Sequence, residues 1–236
     1  MLFHLIHLKN VPIFEQLLLE ETLLRTDSRN FCILNEGSNP AVVMGISGDP
    51  LKLVDPTYLQ ALKVPLLRRF SGGGTVIVDE NTLFVSFLCN REELGFPPYP
   101  EQILQWTETL YQQALKIPSF HLKEHDFVIG DHNCGGNAQY IRKDRWIQHT
   151  SFLWDFSSEN MKTLLHPPKT PSYRQGRNHE QFLCKLKDHL PHRTSFFSRI
   201  KDHLHQTYTL QELFSIEELL QQDRSDVRIS TQVVQF

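Results

Sequence analysis

No apolar run in this 236-residue chain approaches the ~18 residues that a membrane-spanning helix requires, so no membrane partner is expected. Positive charge is not in surplus: 24 Lys and Arg face 27 Asp and Glu, a formal net charge of −3. Without a Lys/Arg block the chain lacks the dense cationic face that grips a phosphate backbone, and no nucleic-acid partner is expected. Cysteine is scarce. Cys32, Cys89, Cys134 and Cys184 lie far apart and form no CxxC, which argues against a disulfide framework and for a reducing, cytoplasmic compartment. The pairs His4/His7, His189/His192 and His203/His205 have no Cys or carboxylate at ligand spacing, so no structural metal is expected. Met1–His7 has neither a basic leader nor a small-residue cleavage site and reads as a strand.

What is present is an ordinary globular mixture, 40% hydrophobic and 22% charged, on a chain long enough to bury a core. Leu2 to Leu8 reads as the first strand. Behind Pro12, Ile13, Leu17, Leu18 and Leu24 recur at helical spacing and predict a helix over 13–25. Apolar runs at 31–34, 41–46, 64–70, 75–78 and 83–88 read as strands, and 58–63 as a helix-like connector. A Pro-rich break at 96–100 precedes an amphipathic helix over 101–116, whose apolar face, Trp106 included, is expected in the core. Further strands are expected at 120–129, 138–141 and 146–156, helices at 159–165, 179–190, 199–208 and 216–222, and a last strand at 227–235. Strands first and helices later predict an α+β fold.

Two segments carry chemistry. In Arg68-Arg69-Phe70-Ser71-Gly72-Gly73-Gly74-Thr75-Val76-Ile77-Val78-Asp79, two guanidinium groups lead into three glycines. A turn without Cβ atoms can lie against a ligand and offer its N–H groups, and arginines beside it suit a carboxylate or phosphate. Gly130-Asp131-His132-Asn133-Cys134-Gly135-Gly136-Asn137-Ala138-Gln139 reads as a second small-residue turn between strands. Arg145-Trp146-Ile147-Gln148-His149-Thr150-Ser151-Phe152-Leu153 follows, then Pro171-Ser172-Tyr173-Arg174-Gln175-Gly176-Arg177. The last reads either as a solvated basic turn or as a loop over the pocket that meets an acidic partner.

The strings R-R-F-S-G-G-G-T-V, G-G-N-A-Q and R-W-I-Q-H-T-S-F-L, in that order, resemble the lipoate–protein ligase A and lipoyl/octanoyltransferase family, over roughly residues 1–190. Biotin–protein ligases are its distant relatives and a weaker alternative. Glu20-Glu21 and Met44-Gly45-Ile46-Ser47 also fit. The resemblance implies a catalytic domain like that of class II aminoacyl-tRNA synthetases, with a central, mainly antiparallel sheet flanked by helices. It implies activation of lipoate with ATP and Mg2+, or use of an octanoyl-acyl-carrier-protein donor. The acyl group then passes to a lysine of a lipoyl domain, in a 2-oxoacid dehydrogenase or the glycine cleavage H protein. On this resemblance the substrate or adenylate is bound by Arg69, Ser71, Gly72, Gly73, Gly74, Thr75, Val76, Val78 and Asp79. Gly135, Gly136, Asn137, Ala138, His149 and Thr150 join them from the second half of the chain. An acyl-adenylate must be shielded from water until the amine arrives, and needs donors where negative charge builds, so two donor-rich turns around one pocket suit it.

The pattern breaks at Asn133, where the family carries a lysine that holds the acyl carbonyl and phosphate. Asparagine can donate but cannot neutralise charge, a loss of about 2–4 kcal/mol in such a site. This residue marks the catalytic position, and it opens three alternatives: an impaired lipoyl-binding relative, replacement of the charge by Arg142 or Lys143, or a residue altered from the natural one. Val78 stands where a histidine is frequent. Cys134 reads as a small buried filler rather than an acyl-carrying nucleophile, and Cys184 as helix core. Residues 191–236 are expected to form a helical cap and edge strand of the same domain, with no separate accessory domain.

Overall fold

The computed structural model describes residues 1–166, 170–213 and 228–235. The chain opens with β1 (Leu2–Leu8), α1 (Ile13–Thr26), β2 (Phe31–Asn35) and β3 (Ala41–Met44). Short helices α2 (Pro50–Leu53) and α3 (Pro56–Leu62) follow, each begun by an aspartate whose side chain accepts from backbone N–H groups of the first turn. Next come β4 (Leu66–Arg68), β5 (Val76–Val78), β6 (Thr82–Asn90) and α4 (Pro100–Leu115). β7 (Phe120–Lys123), β8 (Asp126–Ile129), β9 (His132–Ile141) and β10 (Arg145–Leu153) form a meander. The described chain closes with α5 (Ser158–Met161), α6 (His179–Phe182), α7 (Arg193–Thr207), β11 (Thr209–Leu213) and β12 (Gln232–Val234).

Eight strands form the large sheet, in the order β11-β1-β2-β6-β10-β9-β8-β7. It is antiparallel except at the β11–β1–β2 edge, where both pairings are parallel. β2 and β6 run through the middle and are buried on both faces, which is why their sequences are largely apolar without alternation, with Ser86 of β6 a buried exception. One face carries α4 and α7: Ile103, Leu110 and Tyr111 from the first and Phe196, Ile200 and Leu204 from the second pack onto Phe3, Phe87 and Phe152. Trp106 joins this core, meeting Phe87 and Trp146 edge-on, as its place on the apolar face of α4 predicts.

The other face carries α1 and a second sheet, ordered β12-β4-β3-β5. α1 starts at Ile13 because Pro12 sets the entry, and the Ile13 N–H donates to Ser38 Oγ at 2.8 Å, which supplies one of the partners a helix start lacks. Leu17, Leu23 and Leu24 then pack against Phe31, Ile33 and Phe84 of the large sheet and Val43, Leu67 and Phe70 of the small-sheet side.

Several expectations change. The run 120–129 is a hairpin, not one strand: Glu124, at φ 54°, turns β7 back into β8. The second glycine-rich segment is not a turn. The turn falls at Gly130-Asp131, and Asn133 to Ala138 lie within β9, Gly135 and Gly136 opposite Phe152 and Ser151 of β10. Glycine is required at 135 for packing, since a Cβ there would stand 2.8 Å from the Phe152 ring. The helix expected over 179–190 ends after one turn. Leu183 is extended and bridges Asn133 in parallel, and the Cys184 N–H donates to Asn133 O at 2.8 Å, so Cys184 is not in a helix. The helix expected over 216–222 lies outside the described residues, and the final strand is described at 232–234, paired with β4.

Candidate functional site

Between the two sheets lies a cavity of about 540 Å³, within the range of small-molecule sites. Ile13 and Leu17 of α1, Val43 of β3, Val76 of β5 and Phe84 of β6 give it apolar walls. The glycine loop between β4 and β5 lies along it, and β9 and β10 close the opposite side.

Arg69 shapes that loop from within. It is 6% exposed and donates through Nε and Nη2 to Gly72 O (3.2 and 2.8 Å), through Nη2 to Gly74 O (2.9 Å), and through Nη1 to Val43 O (3.4 Å). Burial pulls its pKa down to about 10. The buried cation is thus spent on loop carbonyls. Arg68 does the same for the neighbouring turn, donating from Nη1 to Ile46 O and Gly48 O, both at 2.8 Å. The expectation that both arginines reach for a ligand anion is corrected here: each holds a curved backbone that could not otherwise satisfy its carbonyls. Gly73 has φ +104°, and a Cβ there would lie 2.7 Å from Arg69 Nη2 and 3.1 Å from Asn137 O. The Gly72 N–H donates to Gln139 O at 3.2 Å. The loop and β9 are therefore in direct contact.

Arg69, Gly73, Gly74, Thr75, Val76 and Val78 line the cavity, as do Asn133, Gly136, Asn137, Ala138, His149 and Thr150. Ser71, Gly72, Asp79 and Gly135 do not. Asp79 instead forms the β5–β6 turn, accepting from Asn81 N at 2.8 Å and from Asn160 Nδ2 at 3.4 Å. Asn137 is held on both ends: Oδ1 accepts from Gln148 Nε2 (2.7 Å) and Thr150 Oγ1 (2.9 Å), and Nδ2 donates to His125 O (2.9 Å). It locks β9 to β10 and to the β7–β8 turn at once.

One wall is polar in a way the sequence hid. Glu20, fully buried on α1, meets His149 Nδ1 at 2.8 Å and accepts from Gln16 Nε2 at 2.8 Å. His149 Nε2 has no hydrogen-bond partner among the described residues. The Phe70 ring stands edge-on to the imidazole at 5.5 Å. The pair joins residues far apart in the chain, and no local pattern connects them.

The corner at Asn133 is the other polar end. Asn133 is buried and donates from Nδ2 to the Tyr173 hydroxyl at 3.5 Å, and Tyr173 donates to Asp126 Oδ2 at 2.8 Å. Burial pushes the Asp126 carboxyl above the usual carboxylate range, and the hydrogen bonds from Tyr173 and Asn133 offset that only in part. Burial and the Asp126 charge push the Tyr173 hydroxyl up. Arg142 and Lys143, at the β9–β10 turn, do not line the cavity, and Arg142 faces Asp144 at 3.8 Å. Arg174 does line it. Cys134 is fully buried, and its thiol is pushed well above its ordinary value by burial and by the adjacent Cys184 thiol, so it holds no thiolate for nucleophilic work. Asp126 left no signal in the sequence beyond its place after a turn; Arg174 stood in a basic segment with two readings.

The cavity thus has apolar walls, a glycine loop along one side, and polar groups at His149 and Asn133. The family model described as the lipoyl protein ligase A/B catalytic domain matches residues 12–209, and the chain belongs to that family. Over 79% of its length it is 28% identical to a protein of Plasmodium falciparum named inactive lipoate–protein ligase 2, and the match spans 64% of that relative. The chain thus spans less than two thirds of that relative's length. Two solved structures share the fold. A bipartite lipoate protein ligase from Thermoplasma acidophilum, studied with its E2 lipoyl domain, superposes with a TM-score of 0.77 at 16% identity, covering 97% of this chain and 93% of that one. A lipoate–protein ligase A bound with ATP gives 0.75 at 18% identity, covering 98% and 97%. Among the described residues no helix is long and apolar enough to cross a membrane.

Proposed function

We propose that the chain encloses a lipoyl or octanoyl group in its inter-sheet cavity and passes it to the lysine of a lipoyl domain. The donor is an acyl-adenylate or an acyl-carrier thioester. The observation that carries this reading is the contact between the Gly72–Thr75 loop and β9, which wraps an apolar cavity of about 540 Å³ in backbone. An activated acyl group needs such shielding from water. Two cavity-lining residues carry donors suited to phosphate oxygens, Thr75 Oγ1 and Arg174 Nη2, which have no hydrogen-bond partner among the described residues. ATP would therefore place its phosphates near these groups, and Mg2+ would arrive on the nucleotide. Lipoyl domains of 2-oxoacid dehydrogenases and the glycine cleavage H protein are the acceptor classes.

A second reading rests on Asn133. A neutral side chain, already engaged by Tyr173, stands where the family lysine holds phosphate and carbonyl. On this reading the chain binds the acyl group without activating it. Mass spectrometry of a lipoyl domain incubated with the chain decides between them, in three arms: lipoate with ATP and Mg2+, preformed lipoyl-adenylate, and octanoyl-acyl-carrier protein. A mass gain on the acceptor in any arm carries the transfer reading. Gain with lipoyl-adenylate alone places the defect in activation. No gain in any arm, beside an authentic ligase that works, sinks transfer and leaves binding.

A further inference from the structure

Asn133 leaves the cavity without the cation the family uses, yet a cation on another element lines the same cavity. Arg174 is 5% exposed, lines the cavity, and has an Nη2 with no hydrogen-bond partner among the described residues. Its guanidinium lies 4.9 Å from the centre of the Phe182 ring, and its Nε donates to Arg177 O at 2.9 Å. The arginine is presented on a fixed turn. Ser172 donates to Glu124 through both its N–H (2.8 Å) and its hydroxyl, and Tyr173 donates to Asp126. Gln175 follows at φ 50°. Segment 171–177 is thereby docked on the β7–β8 turn, beside Asn133.

The neighbouring cations are already engaged. Arg69 is spent on the carbonyls of Gly72 and Gly74. Arg177 donates to Asp131 O and Tyr173 O at 3.0 and 2.8 Å. Lys123 pairs with Asp131 at 2.5 Å. Of the two arginines that line the cavity among the described residues, Arg174 is the one whose Nη2 has no partner there. A buried guanidinium nitrogen without a partner is costly, and an anion seated beside it removes that cost.

We propose that Arg174 is the phosphate-binding residue of this site, its guanidinium taking over from β9 the charge role that Asn133 cannot fill, and gripping the mixed-anhydride phosphate of an acyl-adenylate. This rests on the acyl-transfer reading above. Guanidinium suits the task because its planar fork matches two phosphate oxygens.

The test uses the full chain and two probes: the anionic adenylate analogue octanoyl-sulfamoyl-adenosine, followed by calorimetry, and neutral octanamide, followed by ligand-observed NMR. Arg174→Gln is expected to weaken the adenylate analogue ~10–100-fold, the loss of a hydrogen bond to a charged group, while octanamide binding stays within about twofold. Arg174→Lys is expected to retain most of the affinity, since the charge remains. Unchanged binding of the analogue by Arg174→Gln overturns the proposal and leaves the acyl site standing. Equal loss of both probes also overturns it, because that marks Arg174 as a structural support. A wild-type chain that binds neither probe defeats the acyl-transfer reading itself.

Discussion

Replacing Arg69 by methionine separates the two jobs of a buried cation, holding the fold and holding the loop. Its three bonds to Gly72 O and Gly74 O are worth about 1.5 kcal/mol each at the low end for a charged donor, or about 4–5 kcal/mol. Against this stands the cost of burying a guanidinium with no carboxylate beside it. Burial pulls its pKa from the ordinary arginine value down to about 10, a cost of about 3 kcal/mol. Methionine follows a similar path without that cost, so the two effects nearly cancel. The chain as a whole should lose about 1–2 kcal/mol, a fall in Tm of about 2–8 °C for a protein of this size. The loop should lose far more. With its carbonyls undonated, the segment 72–74 orders only when ligand binds, at about 1 kcal/mol or more per residue. That predicts a fall of ~10²-fold in affinity for the octanoyl-adenylate analogue. Arg69→Lys should behave like methionine, because one ammonium cannot span both carbonyls as the guanidinium fork does. Differential scanning calorimetry gives the first number and titration calorimetry the second. Unchanged affinity in Arg69→Met, or a collapse of Tm matching the loss of binding, would refute the reasoning.

Three further outcomes are expected. Asn133→Lys sets an ammonium beside Asp126 and should raise acyl transfer ~10²–10³-fold; equal rates for the two forms in the lipoyl-domain assay would show that the position is idle. Burial raises the Asp126 pKa, so the native state binds the proton more tightly than the unfolded chain. Stability from this group is present at low pH and is lost as pH rises through the folded pKa. Asp126→Asn should therefore raise Tm at pH 8 and change it little at pH 4; the same shift at both would rule the linkage out. Glu21 is the opposite case. Burial pushes its carboxyl up, but hydrogen bonds from Ser230, Arg25 and Thr231 outweigh it and hold the pKa low. Its contribution is present at neutral pH and is lost as pH falls through the folded pKa. Glu21→Gln should cost about 1–3 kcal/mol and speed proteolysis within residues 228–235. Cleavage at the wild-type rate would count against this anchor.

What the sequence determined by itself is local. The hydrophobic period places α4 and its Trp106 face on the core, and the largely apolar runs at 31–34 and 83–88 become the doubly covered strands β2 and β6. The ordered strings around Arg69, Gly135 and His149 pointed to one enclosed site, and the Gly72–Gln139 contact brings the first two together. Tertiary structure decided the rest. A run of small residues looks alike as a turn or as a strand beneath a ring, and only the Phe152 side chain opposite Gly135 makes it a strand. An arginine beside glycines looks ready for an anion, and only the inward curl of the loop turns Arg69 onto its own carbonyls. Glu20 and His149 meet because α1 crosses β10, and Tyr173 reaches Asn133 because segment 171–177 docks on the β7–β8 turn. Short-range periodicity fixes which face of an element is buried, but not which distant element covers it. The partners of buried charges are set by that covering alone.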